Sequence, residues 1–215
     1  MPARVKICGI RTAEAMAAAL EARADLVGLV FFPPSPRNIS LEEAAPLADF
    51  ARGYAAIVAL VVDADDALLE RIMVAINPDL LQLHGSETPA RVAEIRERWG
   101  KPVMKAIKVA SVADARAALD YAEAADLILF DAKPPAGADR PGGHGHTFDW
   151  SLLAQVSGRV AFMLGGGLDA SNVAEAIRET GATVVDVSSG VESAPGIKDP
   201  ARIRAFVAAA KGAPV

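Results

Sequence analysis

A chain of 215 residues, 52% hydrophobic with mean hydropathy +0.27, can bury one substantial core, and a single domain over residues 1–215 is expected. Its one cysteine excludes an intramolecular disulfide framework and a multi-cysteine metal site. A net charge of −5 argues against a protein that tracks nucleic-acid phosphates, so any anionic ligand must be held by a local site. The longest apolar run, AAIVALVV from Ala55 to Val62, falls far short of the roughly 20 residues that cross a bilayer as a helix. MPARVKICGI at the start holds no apolar segment with a cleavage site, so neither export nor a membrane partner is expected and the cytoplasm is the default location. Without export, the acceptor pattern NIS at Asn38–Ser40 is read as accidental.

Eight apolar runs follow one another with helix-forming segments between them. They are VKICG from Val5, DLVGLVFF from Asp25, AAIVALVV from Ala55 and DLLQLH from Asp79, then PVMKAIKV from Pro102, DLILFD from Asp126, VAFMLGG from Val160 and VVDVSSG from Val184. Several are apolar at consecutive positions, as strands are when one side faces a barrel interior and the other a covering helix. Thr12, Ser40, Thr88 with Pro89 behind it, Ser111 and Ser171 are expected to cap the intervening helices. Eight strands alternating with helices in this length predict an α/β fold of (β/α)8 barrel type. A doubly wound open sheet is the structural alternative. The longest irregular stretch, Ala132 to Trp150, is of a length that tends to be functional.

In such barrels the active site lies at the C-terminal ends of the strands. That rule selects Cys8 after the first strand, Arg37 after the second, His84 after the fourth and Asp131 after the sixth. LGGGLDASN and DVSSGVESAPG follow the last two strands, where barrels often bind phosphate through backbone N–H groups; Gly166, Gly167, Ser189 and Gly190 are the expected contacts. Each choice has a plainer reading. The glycines could simply make tight turns, Cys8 could be a small buried hydrophobe, and Arg37 an exposed loop residue. His84 could be a hydrogen-bonded strand end. Asp131 is harder to dismiss, because a carboxylate directly after LILF is costly near a core without a partner or a task. His144 and His146 with Asp149 lack a clear third ligand, so no metal and no cofactor are expected.

The motifs KICGIRT, FFPPSPRNIS, QLHGSE, FDAKPPAGADRPGGHGHTFDW, LGGGLDASNV and VVDVSSGVESAPGIKD, in this order over nearly the whole chain, resemble the phosphoribosylanthranilate isomerase family of tryptophan biosynthesis. The resemblance implies an aldose-ketose isomerase acting on a small phosphosugar, without a cofactor, as a monomer or homodimer. It implies that Cys8 is the general base, Asp131 the general acid, and Arg37 the partner of the anthranilate carboxylate. The chain departs from the usual spelling at LGGGL, where alanine commonly precedes the glycine pair, and at GGHGHTF, where threonine and lysine are common. Base chemistry calls for a thiolate at Cys8, which positive charge from Lys6, two residues away on the same strand, would favour. Asp131 would have to start protonated. A related histidine-pathway isomerase would need two opposed phosphate sites and an aspartate in place of Cys8. A non-catalytic phosphate-binding barrel would need neither Cys8 nor Asp131.

Overall fold

A computed structural model describes residues 2–133, 147–156 and 158–213. His144 and His146, and most of the long stretch after Asp131, lie outside the described residues. The first half of the chain runs β1 (Arg4–Cys8), α1 (Ala13–Glu21), β2 (Leu26–Phe31), α2 (Leu41–Ala51), β3 (Ala56–Val61), α3 (Asp66–Ile76), β4 (Leu80–Leu83) and α4 (Pro89–Trp99). The second half runs β5 (Val103–Val109), α5 (Val112–Arg116), β6 (Leu127–Ala132), β7 (Phe162–Leu164), α6 (Val173–Thr180), β8 (Val184–Val187), β9 (Glu192–Ala194), β10 (Ile197–Lys198) and α7 (Pro200–Gly212). Strands β1 to β8 are all parallel and close in sequence order into one barrel, as expected from the eight apolar runs. The open sheet is thereby excluded.

The three strands that begin with Asp-Leu share one device. Asp25, Asp79 and Asp126 each accept a backbone N–H at the start of the preceding strand, from Val5, Ile57 and Val103, at 2.8 Å in every case. A charge-assisted bond at the strand start satisfies a donor that would otherwise be buried unpaired, and it fixes the register at the N-terminal end of the barrel. The helices begin as their capping residues dictate. Thr12, Thr88 and Ser111 accept the N3 backbone N–H, and Ser40 with Glu43 forms a full capping box. Ser171 is a correction: α6 starts only after Asn172, because Asp169 draws both the N–H and the hydroxyl of Ser171 into a turn of its own.

The large apolar core lies between the outside of the barrel and the helices, with Ile7, Leu29, Ile57 and Phe130 among its buried members. Inside the barrel, Leu26, Val58, Leu80, Met104, Leu129 and Met163 fill the layers toward the N-terminal ends. Above them the interior turns polar. Lys6 and Gln82 are fully buried there, and burying such groups is tolerable only when each is paired. Among the described residues, no helix is long and apolar enough to cross a membrane.

Candidate active site

Strand register builds the site. In β1, Lys6 lies beside Asp186 of β8 and Cys8 beside Gly28 of β2, while Lys108 of β5 lies beside Asp131 of β6. Successive inward positions on one strand are two residues apart. Lys6 and Cys8, Gln82 and His84, and Asp186 and Ser188 therefore form vertical pairs, the second of each nearer the mouth. The structure thus brings Cys8, His84 and Asp131 together at the C-terminal end of the barrel, where Cys8 is 4%, His84 7% and Asp131 9% exposed.

A hydrogen-bonded chain joins these residues. Lys6 Nζ donates to Asp186 Oδ1 at 3.0 Å and to Gln82 Oε1 at 2.7 Å. Gln82 Nε2 lies 2.9 Å from His84 Nδ1, and His84 Nε2 lies 3.2 Å from Asp131 Oδ2. The other Asp131 oxygen accepts the Ala132 N–H at 2.9 Å. His84 is therefore a hydrogen-bonded strand-end histidine, and its partner is the candidate acid.

Electrostatics around Cys8 run against the simplest expectation. Burial pushes the thiol above its ordinary range; Lys6 and Lys198 pull it down without cancelling that effect, and Asp186 adds to it. Lys6 is also buried, which alone would favour its neutral form, but Asp186 and the Cys8 sulfur outweigh burial and hold its pKa above the usual lysine value. The help expected from Lys6 is present and is the smaller effect.

Room for the thiol comes from Gly28. A Cβ there would sit 2.9 Å from Cys8 Sγ and 3.3 Å from Lys6 Cε. Gly28→Ala is expected to displace the thiol, lowering kcat by at least about tenfold while overpacking costs about 1–3 kcal/mol of stability. Steady-state kinetics beside a thermal melt checks this; an unchanged kcat would mean that the position of the sulfur is immaterial.

Arg37 is buried, not exposed, and its fork is already occupied. Nε and Nη2 donate to the two oxygens of Glu192 at 2.7 and 2.8 Å. Glu192 also accepts from Lys198 Nζ at 2.8 Å, and its backbone carbonyl accepts from Arg202. Burial opposes ionisation of Glu192, but the Arg37 hydrogen bonds and Lys198 hold its carboxyl below the ordinary range. Lys198 further donates to the Ser188 carbonyl at 2.9 Å, and Ser188 Oγ donates to the Cys8 carbonyl at 3.1 Å. The hairpin of β9 and β10, unforeseen in the sequence, thus ties the loop after β8 to the bases of both Arg37 and Cys8.

The glycine-rich loops lie side by side. Gly166 and Gly167 have φ of +80° and +66°, and a Cβ on Gly166 would collide with the Ala132 backbone nitrogen next to Asp131. A Cβ on Gly190 would collide with the Leu168 carbonyl, so the loop after β8 packs directly on the loop after β7. Positive φ at Gly166 and Gly167 and close packing at Gly166 and Gly190 therefore account for the three glycines. The half-buried backbone of Gly166 and Gly167 remains suited to an anion, since no acceptor among the described residues takes either N–H. Ser189 and Gly190 belong to a short 3-10 turn, Ser189–Val191, packed on Leu168 and Asp169.

Gln82, Asp186, Glu192 and Lys198 escaped the reading of the sequence. A signal existed for the first two: a lone polar residue inside LLQL and inside VVDV, each two positions before a strand-end group. Among the described residues, no group of three or more His, Cys, Asp or Glu side chains could hold a metal ion.

A closed (β/α)8 barrel with its polar cluster at the C-terminal strand ends has the build of the TIM-barrel enzymes. A sequence model of the family described as N-(5'-phosphoribosyl)anthranilate (PRA) isomerase matches residues 5–209. The N-(5'-phosphoribosyl)anthranilate isomerase of Rhodopseudomonas palustris is 58% identical over 211 residues, 98% of this chain and 97% of that protein. That of Paramagnetospirillum magneticum is 56% identical over 212 residues, 99% of each chain. The crystal structure of phosphoribosyl anthranilate isomerase from Thermotoga maritima superposes with a TM-score of 0.89 at 37% identity, covering 98% of this chain and 99% of that one. A phosphoribosyl anthranilate isomerase in complex with reduced 1-(o-carboxyphenylamino)-1-deoxyribulose 5-phosphate superposes with a TM-score of 0.86 at 36% identity, with the same coverage. The chain belongs to the N-(5'-phosphoribosyl)anthranilate isomerase family.

Proposed function

We propose that this protein converts N-(5-phosphoribosyl)anthranilate to 1-(2-carboxyphenylamino)-1-deoxyribulose 5-phosphate, an Amadori rearrangement in tryptophan biosynthesis, in the cytoplasm and with the whole chain acting as one barrel. One observation carries the reading beyond family membership: the chain's only cysteine and Asp131 share the barrel mouth with two adjoining glycine-rich loops. The phosphate is held by backbone N–H groups of Gly166, Gly167, Ser189 and Gly190. His84 faces the substrate pocket and orients Asp131. Arg37, whose Nε–Nη2 edge pairs with Glu192, meets the anthranilate carboxylate.

Protonated Asp131 gives its proton to the furanose ring oxygen. The bond from that oxygen to C1 breaks, and the anthranilate nitrogen lone pair forms the C=N bond of an iminium ion. The Cys8 thiolate then removes the proton on C2, whose electrons form the C1=C2 bond of the enolamine. Loss of the C2 hydroxyl proton and protonation of C1 give the ketone. The required form has its proton on Asp131 and none on Cys8. It differs from the carboxylate–thiol form only in where one proton sits, so its share is independent of pH until the thiol itself ionises.

Because burial raises the Cys8 pKa, that ionisation comes late. The free-enzyme profile of kcat/KM is expected to be level through neutral pH and to fall only above the range in which an ordinary cysteine titrates. An alkaline fall centred near neutrality would contradict the shift.

The function is tested by adding the protein to freshly generated phosphoribosylanthranilate. Its fluorescence should decay in proportion to enzyme, with the deoxyribulose phosphate as the product identified by mass and NMR. Absence of turnover by folded protein would overturn the reading. The reduced product, the ligand named in one related complex, is a stable probe of the same site.

A further inference from the structure

The chain of contacts beneath Asp131 fixes where protons can sit. Lys6 is held protonated in the barrel interior by Asp186 at 3.0 Å, and an ammonium can only donate. Its contact to Gln82 at 2.7 Å therefore requires the amide oxygen of Gln82 on that side. The amide nitrogen then faces His84 Nδ1 at 2.9 Å. Since –NH2 donates, Nδ1 must carry a lone pair, and an imidazolium cannot supply one. The single ring proton is left on Nε2, 3.2 Å from Asp131 Oδ2.

We propose that Gln82, oriented by Lys6, is a positioning residue that locks His84 as the neutral Nε2–H tautomer, so that His84 donates to Asp131 and cannot take the acid's proton. The consequence follows from the alternative. In the Nδ1–H tautomer, the Nε2 lone pair would face Asp131 and accept the very proton that ring opening needs. The lock keeps that proton for the substrate. The step from tautomer to catalysis rests on the acid role proposed above for Asp131; the tautomer itself does not.

The test begins without substrate. The chain has three histidines, so nitrogen-15 NMR of the free protein can assign His84 by comparison with His84→Asn. Near neutral pH the lock predicts one protonated nitrogen, Nε2, and an unprotonated Nδ1. An imidazolium pattern, or a proton on Nδ1, would overturn it. In Gln82→Glu the carboxylate demands a donor from His84, so Nδ1 should become protonated. At the same time kcat should fall more than about tenfold, with KM for phosphoribosylanthranilate changed less than about threefold. A purely packing role would not produce that spectral change. Gln82→Met, which keeps length but has neither a donor nor a carbonyl, should give a mixture of tautomers and an intermediate kcat; it takes the place of Gln82→Glu if that variant fails to melt cooperatively. A wild-type spectrum in either folded variant, or a changed spectrum with wild-type kcat, would refute the proposal. Failure of the unaltered protein to turn over phosphoribosylanthranilate would instead refute the isomerase reading and leave the tautomer measurement standing.

Discussion

Cys8→Ser is expected to lower kcat by about 10²–10⁴-fold, the range that a positioned general base contributes, with little change in melting temperature. Serine matches the shape of cysteine closely, and Cys8 packs beside Val30 and Leu60 with only 4% exposure. The fold therefore barely registers the exchange. What changes is acidity: a hydroxyl ionises far less readily than a thiol, and no nearby charge pair compensates for that gap. Lys6 and Lys198, which favour the charged form of Cys8, would then act on a group that stays neutral. Steady-state kinetics with a melt as control checks the result. Near-normal turnover would return Cys8 to the role of a small buried hydrophobe.

Asp131→Asn is expected to cost a similar factor, about 10²–10⁴ in kcat, with KM nearly unchanged. Its side-chain oxygen can still accept the proton of His84 Nε2, the contact that Asp131 Oδ2 makes at 3.2 Å. The contact to His84 is thus retained, the Ala132 N–H loses its acceptor, and the ionisable proton is gone. A rise in KM with kcat preserved would assign Asp131 to substrate binding.

Most of the architecture was legible because each strand is a short, nearly unbroken apolar run opened by an aspartate or a turn. Thr12, Ser40, Thr88 and Ser111 announced their helices by side-chain chemistry that depends only on neighbours three residues away. Ser171 misled because Asp169, two residues earlier, competes for it. Strand-end positions pointed to Cys8, His84 and Asp131, and the structure gathers them in one mouth. What could not be read was partnership across the barrel. Arg37 and Glu192 are 155 positions apart, and Lys6 and Asp186 180; their meeting depends on closure and register, which no local pattern encodes. The bias of the Cys8 thiol depends on the same closure, since burial and two lysines from separate strands decide it.

The most direct measurement is a crystal structure of this protein with the reduced rearrangement product. The account predicts its phosphate on the backbone of Gly166, Gly167, Ser189 and Gly190, and its sugar carbons between Cys8 Sγ and the Asp131 carboxylate. The carboxyphenyl group should reach Arg37 with the Glu192 pair intact. A phosphate bound elsewhere, or sugar carbons beyond contact with Cys8 and Asp131, would contradict it.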